Sequence, residues 1–155
     1  MNRREILGAA LALPAVAARA HHGWASFDQN RPIYLEGRVT AVRWQNPHAE
    51  LDIELPPAMR LPADLAARPL PAQSAQVDGK GLLARAQLPT RKDRQWEIEL
   101  APLTRMEAWK VAPIPVGASV SLLGFTLKDE QGEAVLRADY LFIDGKTYAL
   151  RSGPA

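Results

Sequence analysis

Ile33-Tyr34-Leu35-Glu36-Gly37-Arg38-Val39-Thr40-Ala41-Val42-Arg43-Trp44 is the stretch whose reading decides the fold. Side chains alternate along a strand, so Ile33, Leu35 and Val39 share one face while Val42 and Trp44 fall on the opposite parity. Both sets can face one core only if an extra residue shifts the register between Gly37 and Ala41, and a strand bent by such a bulge suits a small barrel. Asn46-Pro47 ends the strand, because proline has no amide to donate and holds the residue before it extended. A second strand, His48 to Leu55, alternates without a break: Ala49, Leu51, Ile53 and Leu55 point inward, and His48, Glu50, Asp52 and Glu54 point outward.

Downstream the pattern breaks and then resumes. Residues 56–93 form a Pro/Ala-rich insertion, with room for a short helix after Pro62, and a loop of this length and composition is expected to be disordered or loosely packed. Trp96, Ile98 and Leu100 alternate with Glu97 and Glu99 as a third strand. Thr104 and Glu107 have the spacing of a capping box, which predicts a short helix over about Arg105 to Lys110. Val116 to Leu127 gives a fourth strand with a bend at Gly124, Lys128 to Gly132 a hairpin loop, and Ala134 to Ile143 a fifth strand. Asp144-Gly145 then turns the chain into a short last strand, Thr147 to Arg151. The expected fold is all-β: a five- to six-stranded barrel of the oligonucleotide/oligosaccharide-binding (OB) type with one short helix, filling residues 21–155 as a single domain. A β-sandwich is the competing architecture.

Residues 1–20 read as a cleaved signal peptide: basic Asn2-Arg3-Arg4, an apolar run from Ile6 to Ala18, and the small-x-small pattern Ala18-Arg19-Ala20. The run is too short for a stable membrane span. Arg3-Arg4 is compatible with a twin-arginine signal and with a general secretory one. The expected location is therefore periplasmic or secreted. The chain carries 19 basic and 17 acidic residues, but Arg3, Arg4 and Arg19 lie in the leader against Glu5 alone, so the mature chain has equal numbers of each. That removes the positive surface a nucleic-acid partner requires. Without cysteine there is no disulfide framework and no thiolate ligand.

Two of the three histidines, His21 and His22, follow the cleavage pattern, and the third is His48. A cut after Ala20 frees the amine of His21. That amine, the His21 imidazole and a second imidazole make a three-nitrogen set, a histidine brace, which favours copper(II). The amine binds only when deprotonated, so affinity should fall with pH. A cut after Ala18 leaves Arg19-Ala20-His21, an amine-x-histidine pattern that also suits copper(II). His48 is the first candidate for the third nitrogen, His22 a weaker one, and Met106 a candidate thioether for copper(I). Asp28 and Glu50 with two histidines could instead make a zinc site, and Trp24 and Trp44 are candidate walls. Glycine-rich phosphate loops, nucleophile elbows and His-Glu-x-x-His pairs are absent from the sequence, so catalysis is not the first reading.

Ala20-His21-His22, Gly37-Arg38-Val39-Thr40-Ala41-Val42, Asn46-Pro47-His48, Trp96 to Leu100 and Arg105-Met106 together resemble the exported bacterial family classed as the domain of unknown function numbered 6152. The resemblance implies export, a barrel and shared histidine motifs, and it supplies no activity. Ligand chemistry alone leads to the functional expectation: an exported protein that holds copper, or passes it to or from a periplasmic acceptor or donor protein. The alternative is a metal-free OB-like module that binds a protein or small molecule.

Overall fold

The structure, a computed structural model, describes residues 22–155. The expected leader with its candidate cleavage sites, and His21, lie outside the described residues. Six strands follow in chain order: β1 Ile33–Arg43, β2 Glu50–Glu54, β3 Gln95–Glu99, β4 Ser119–Thr126, β5 Val135–Ile143 and β6 Lys146–Ala149. Two short helices interrupt them, α1 Gly79–Ala84 within the insertion and α2 Leu103–Ala108 between β3 and β4.

The sheet order is β3-β2-β1-β4-β5-β6, and β3 also pairs with β5 in parallel. That pairing closes five strands into a barrel of the OB type, with β6 as an extra strand on β5. The bulge expected in the first strand lies between Val39 and Ala41, where the register of β1 on β2 shifts. The second bend falls between Leu123 and Gly124, where β4 shifts on β5. Gly124 is required there, because a Cβ on it would lie 2.1 Å from the carbonyl oxygen of Arg137.

The alternation of β2 holds residue by residue. Ala49, Leu51, Ile53 and Leu55 pack inside the barrel with Ile33, Leu35, Ile98, Leu122 and Leu136, while Val42 and Trp44 pack against the same cluster from beyond the bulge. Removing such side chains from water contributes about 1.5–3 kcal/mol each, which makes the barrel interior the main source of stability.

Two expectations need correction. The insertion is not loosely packed: Leu65, Leu82 and Leu83 are buried in a second apolar cluster with Tyr34, Leu123, Tyr140 and Phe142, on the outer side of the barrel. Asp78 caps α1, its side chain accepting from the amide of Gly81 at 2.9 Å. The Thr104–Glu107 capping box does not form either, because the helix starts one residue before Thr104 and has no side-chain cap from its own N-cap residue, Pro102. Its first amide, that of Leu103, donates instead to Asn46 Oδ1 at 3.2 Å. A side chain from the β1–β2 turn thus satisfies a helix end that local sequence leaves open.

Candidate functional site: the closed end of strand β2

Pairing across four strands lines up Arg43, Glu50, Glu99 and Arg137. Arg43 of β1 is opposite Glu50 of β2, Glu50 is opposite Glu99 of β3, and Glu99 is opposite Arg137 of β5. Alternate positions of adjacent strands share a face, so the row runs over the outside of the barrel with a cation at each end and two carboxylates between. Both carboxylates are nonetheless buried, Glu99 at 2 % and Glu50 at 7 % exposure.

Each is matched by an arginine. Arg43 Nε donates to Glu50 at 2.7 Å, and its two terminal nitrogens donate to Asp52 at 2.9 and 3.1 Å. These bonds, those to Asp52 foremost, hold the Arg43 guanidinium more firmly charged than usual. Arg137 Nε donates to Glu99 at 2.7 Å. Buried carboxylates without such partners would cost several kcal/mol.

His48 stands at the head of this row. Its Nδ1 is 3.4 Å from Glu50 and its Nε2 is 3.9 Å from Glu99. The Asn46-Pro47-His48 motif thereby has a division of labour: Asn46 fastens the turn to α2, Pro47 follows a cis peptide bond, and His48 comes between two carboxylates. Carboxylates on both sides of an imidazole confine its orientation.

The amino-terminal segment arrives at the same place. Arg137 Nη2 donates to the carbonyl of His22 at 2.6 Å. The guanidinium of Arg137 lies over the rings of Trp24 and Phe27, 4.9 and 4.7 Å from their centroids, and Arg151 lies 4.3 Å from the Trp24 ring. Arg151 is itself held by two bonds to Asp139 at 2.8 and 2.9 Å. Asp139 is 1 % exposed, and its burial raises its pKa against the pull of Arg151. Phe27 bridges to Leu127 beyond the end of β4, and the Asp28 amide donates to the carbonyl of Thr126 at 2.9 Å.

A second acid secures the loop on which this segment rests. Glu130, in the 128–134 loop, accepts from Arg31 at 2.8 Å, from the Thr90 amide at 3.0 Å and from the Thr90 hydroxyl. Burial raises the pKa of Glu130, but the hydrogen bonds from Thr90 and Arg31 outweigh it and bring the group to about 2. Arg91 Nη1 donates to the carbonyls of Glu130, Gly132 and Glu133. The loop next to the amino-terminal segment is therefore tied to the end of the insertion.

The site residues expected from sequence separate into two groups. His48 is on the outer face, where the alternation of β2 placed it. The His22 side chain turns toward Glu133, with Nε2 3.3 Å from its carboxylate, and packs edge-on against Phe27. Met106 is fully buried in the barrel interior as part of the core cluster. Asp28 caps its own turn, accepting from the Asn30 amide at 3.1 Å. Of the two tryptophans, Trp24 anchors the amino-terminal segment and Trp44 packs on the core. Among the described residues no three of His, Asp and Glu converge as a metal-binding set. Arg43, Glu99, Arg137 and Glu130 carry most of the electrostatics, and sequence alone does not single them out.

Topology and site define a small OB-like barrel whose β2–β3 outer face carries a buried charged row beside the arriving amino-terminal segment. Residues 10–59 match the family model of DUF6152, a family of unknown function, the same family that the sequence motifs resemble. No curated protein matches the chain. No helix among the described residues is long and apolar enough to cross a membrane.

Proposed function

We propose that this chain is an exported copper-binding protein, in which the amine and imidazole of His21, freed by cleavage after Ala20, bind copper(II) together with the imidazole of His48. It holds the metal, or exchanges it with a periplasmic donor or acceptor, rather than using it in catalysis. One observation carries the reading. The carbonyl of residue 22 is tied to Arg137, and Arg137 is tied to Glu99, the carboxylate 3.9 Å from His48 Nε2. The residue following the proposed ligand is thus fastened within two side chains of the second histidine.

The donor set fits copper(II), which favours nitrogen ligands. Glu50 and Glu99 supply the surrounding negative charge that orients His48. Neither the fully buried Met106 nor the His22 side chain facing Glu133 is needed.

Titration calorimetry on the processed protein tests this. Expected are copper(II) affinity tighter than about micromolar, a large loss in His48→Ala, and a similar loss when one residue is added before His21. Binding weaker than micromolar would overturn the reading. If zinc(II) binds more tightly than copper(II) and survives acetylation of the amine, the site is the carboxylate–imidazole alternative. The mass of the mature protein establishes which residue carries the free amine.

A further inference from the structure

A second site lies at the other end of β2. From His48 to Glu54 the strand runs roughly 20 Å, and beyond Glu54 opens a cleft of about 880 Å³. This volume lies toward the upper end of the roughly 300–1,000 Å³ typical of small-ligand sites. The floor runs over the neighbouring strands β1, β4, β5 and β6, and the end of β2, the first part of the insertion and Arg94 form the walls. None of the residues discussed for the metal lines it. Barrels of this type bind ligands on the face of their second and third strands. Here that face carries the charged row from Arg43 to Arg137, so the cleft is a separate surface.

Four cations and four carboxylates line the cleft, so its formal charge is zero. Arg68 is bonded to Asp64 at 3.1 Å, Arg94 is paired with Glu54 at 3.0 Å, and Glu36 accepts from the Tyr34 hydroxyl at 2.9 Å. Arg38, Asp144 and Lys146, all exposed, complete the set. A ligand of either net charge therefore gains little from the cleft as a whole. An apolar ligand fares no better. The one ring among the described lining residues, Phe142, is 8 % exposed and has the Arg68 guanidinium 4.7 Å from its centroid, and Leu55 and Val120 are buried.

What the lining supplies is hydrogen bonding in both directions. The hydroxyls of Ser119, Ser121 and Thr147 donate and accept, the carboxylates accept, and the guanidiniums and Lys146 donate. The wall pairs leave much of this capacity unused. A guanidinium has about five N–H groups. Arg68 commits its Nε to Asp64, and Arg94 commits its Nε to the Leu55 carbonyl at 3.1 Å and one terminal nitrogen to Glu54. The same pairs hold these side chains in place, which lowers the cost of ordering them on binding.

We infer that this cleft binds a short neutral oligosaccharide, such as a disaccharide, through its hydroxyl groups. A sugar hydroxyl both donates and accepts, so it can use carboxylates and guanidiniums alike. Two neighbouring hydroxyls match the paired oxygens of a carboxylate or the paired N–H groups of a guanidinium. A single ring would leave most of the volume unfilled. With no open ring to stack on, binding rests on hydrogen bonds that replace those to water, each of modest net worth. A dissociation constant in the range of about 0.1–10 mM is expected. The inference is independent of the copper reading.

Amide-resolved NMR titration of the full mature chain, in the presence of a chelator, with maltose, cellobiose, lactose and diacetylchitobiose in turn tests it. At least one of these sugars should give saturable shifts at Ser119, Ser121, Gly145 and Thr147, while the amides around His48 stay unmoved. Its affinity should be the same at low and high salt, because no net charge is brought to the cleft. Arg38→Ala should weaken that sugar by about fivefold or more, and Ser119→Ala by about twofold. Both residues are exposed, so the unchanged amide spectrum of the barrel serves as the folding control. Absence of saturable shifts with all of these sugars up to about 50 mM, or unchanged affinity in both variants, would overturn the inference. So would lactobionate binding more than about tenfold tighter than lactose, which would make Arg38 and Lys146 an anion site instead.

Discussion

The two ends of strand β2 begin from one alternating sequence and end as opposites. At the His48 end, Glu50 and its neighbour Glu99 are buried and locked to Arg43 and Arg137. At the far end, the Glu54 side chain is 43 % exposed and pairs with Arg94, which is 52 % exposed. Alternation within a strand determines which side chains leave the core. Segments distant in sequence determine which of those then meet water: Arg137 and the amino-terminal segment cover one end, and the walls of the cleft leave the other accessible. An outward-facing acid is therefore a structural element at one end of β2 and a solvated group at the other.

The sharpest way to break this contrast is Arg137→Ala. It leaves Glu99 buried without its cation and frees the His22 carbonyl, so chemical denaturation should show a loss of about 3–5 kcal/mol. A loss below 1 kcal/mol would mean the closed end is not closed by this residue. Next is the acid limb of the stability curve. The folded pKa of Glu130, about 2, lies below its ordinary value of 4.5. Its contribution is therefore fully present above pH 4.5 and is lost as pH falls toward 2, on the order of 3 kcal/mol in all. Glu130→Gln should be less stable at neutral pH and should flatten that limb, and an unchanged acid limb in the variant would remove Glu130 from the account.

Trp24→Ala is expected to cost about 1–2 kcal/mol through the lost arginine stacking. It should also weaken copper(II) binding by loosening the segment that precedes it in space, which calorimetry can separate from the effect on folding. Smallest of all, Arg94→Ala at the open end should cost about 1 kcal/mol, because an exposed ion pair contributes little and the only other bond lost is the one its Nε donates to the Leu55 carbonyl at 3.1 Å. A loss matching that of Arg137→Ala would erase the distinction between the two ends.

What the sequence reveals follows the range of the interaction. The bulge between Val39 and Ala41 and the inward set Ala49, Leu51, Ile53 and Leu55 are readable because parity is a property of neighbouring residues. So is the outward direction of His48. The α2 cap is not readable, because Thr104 and Glu107 carry a local signal while the actual cap, Asn46, lies 57 positions away. The anchoring of His22 by Arg137 spans 115 positions, and Arg137 bonds Glu99 across 38. No periodicity records such pairings. Met106 shows the same limit from the other side: a sulfur that chemistry makes a candidate ligand is, once the barrel closes, one more buried apolar group.

The anchor around Trp24 also has a kinetic meaning. It rests on the side chains of Arg137 and Arg151, on the ring of Phe27 in the second apolar cluster and on a few isolated backbone bonds, whereas β1 and β4 share a continuous ladder from Ile33–Gly124 to Arg38–Ser119. Residues 22–28 can therefore lift away as a unit while the barrel stays folded, a partial opening of lower free energy than global unfolding. In native-state hydrogen exchange, the amides of Phe27 and Asp28 should exchange well before those of Tyr34 and Leu122. The amino-terminal arm would then act as a latch, released and refastened many times within the lifetime of one folded barrel.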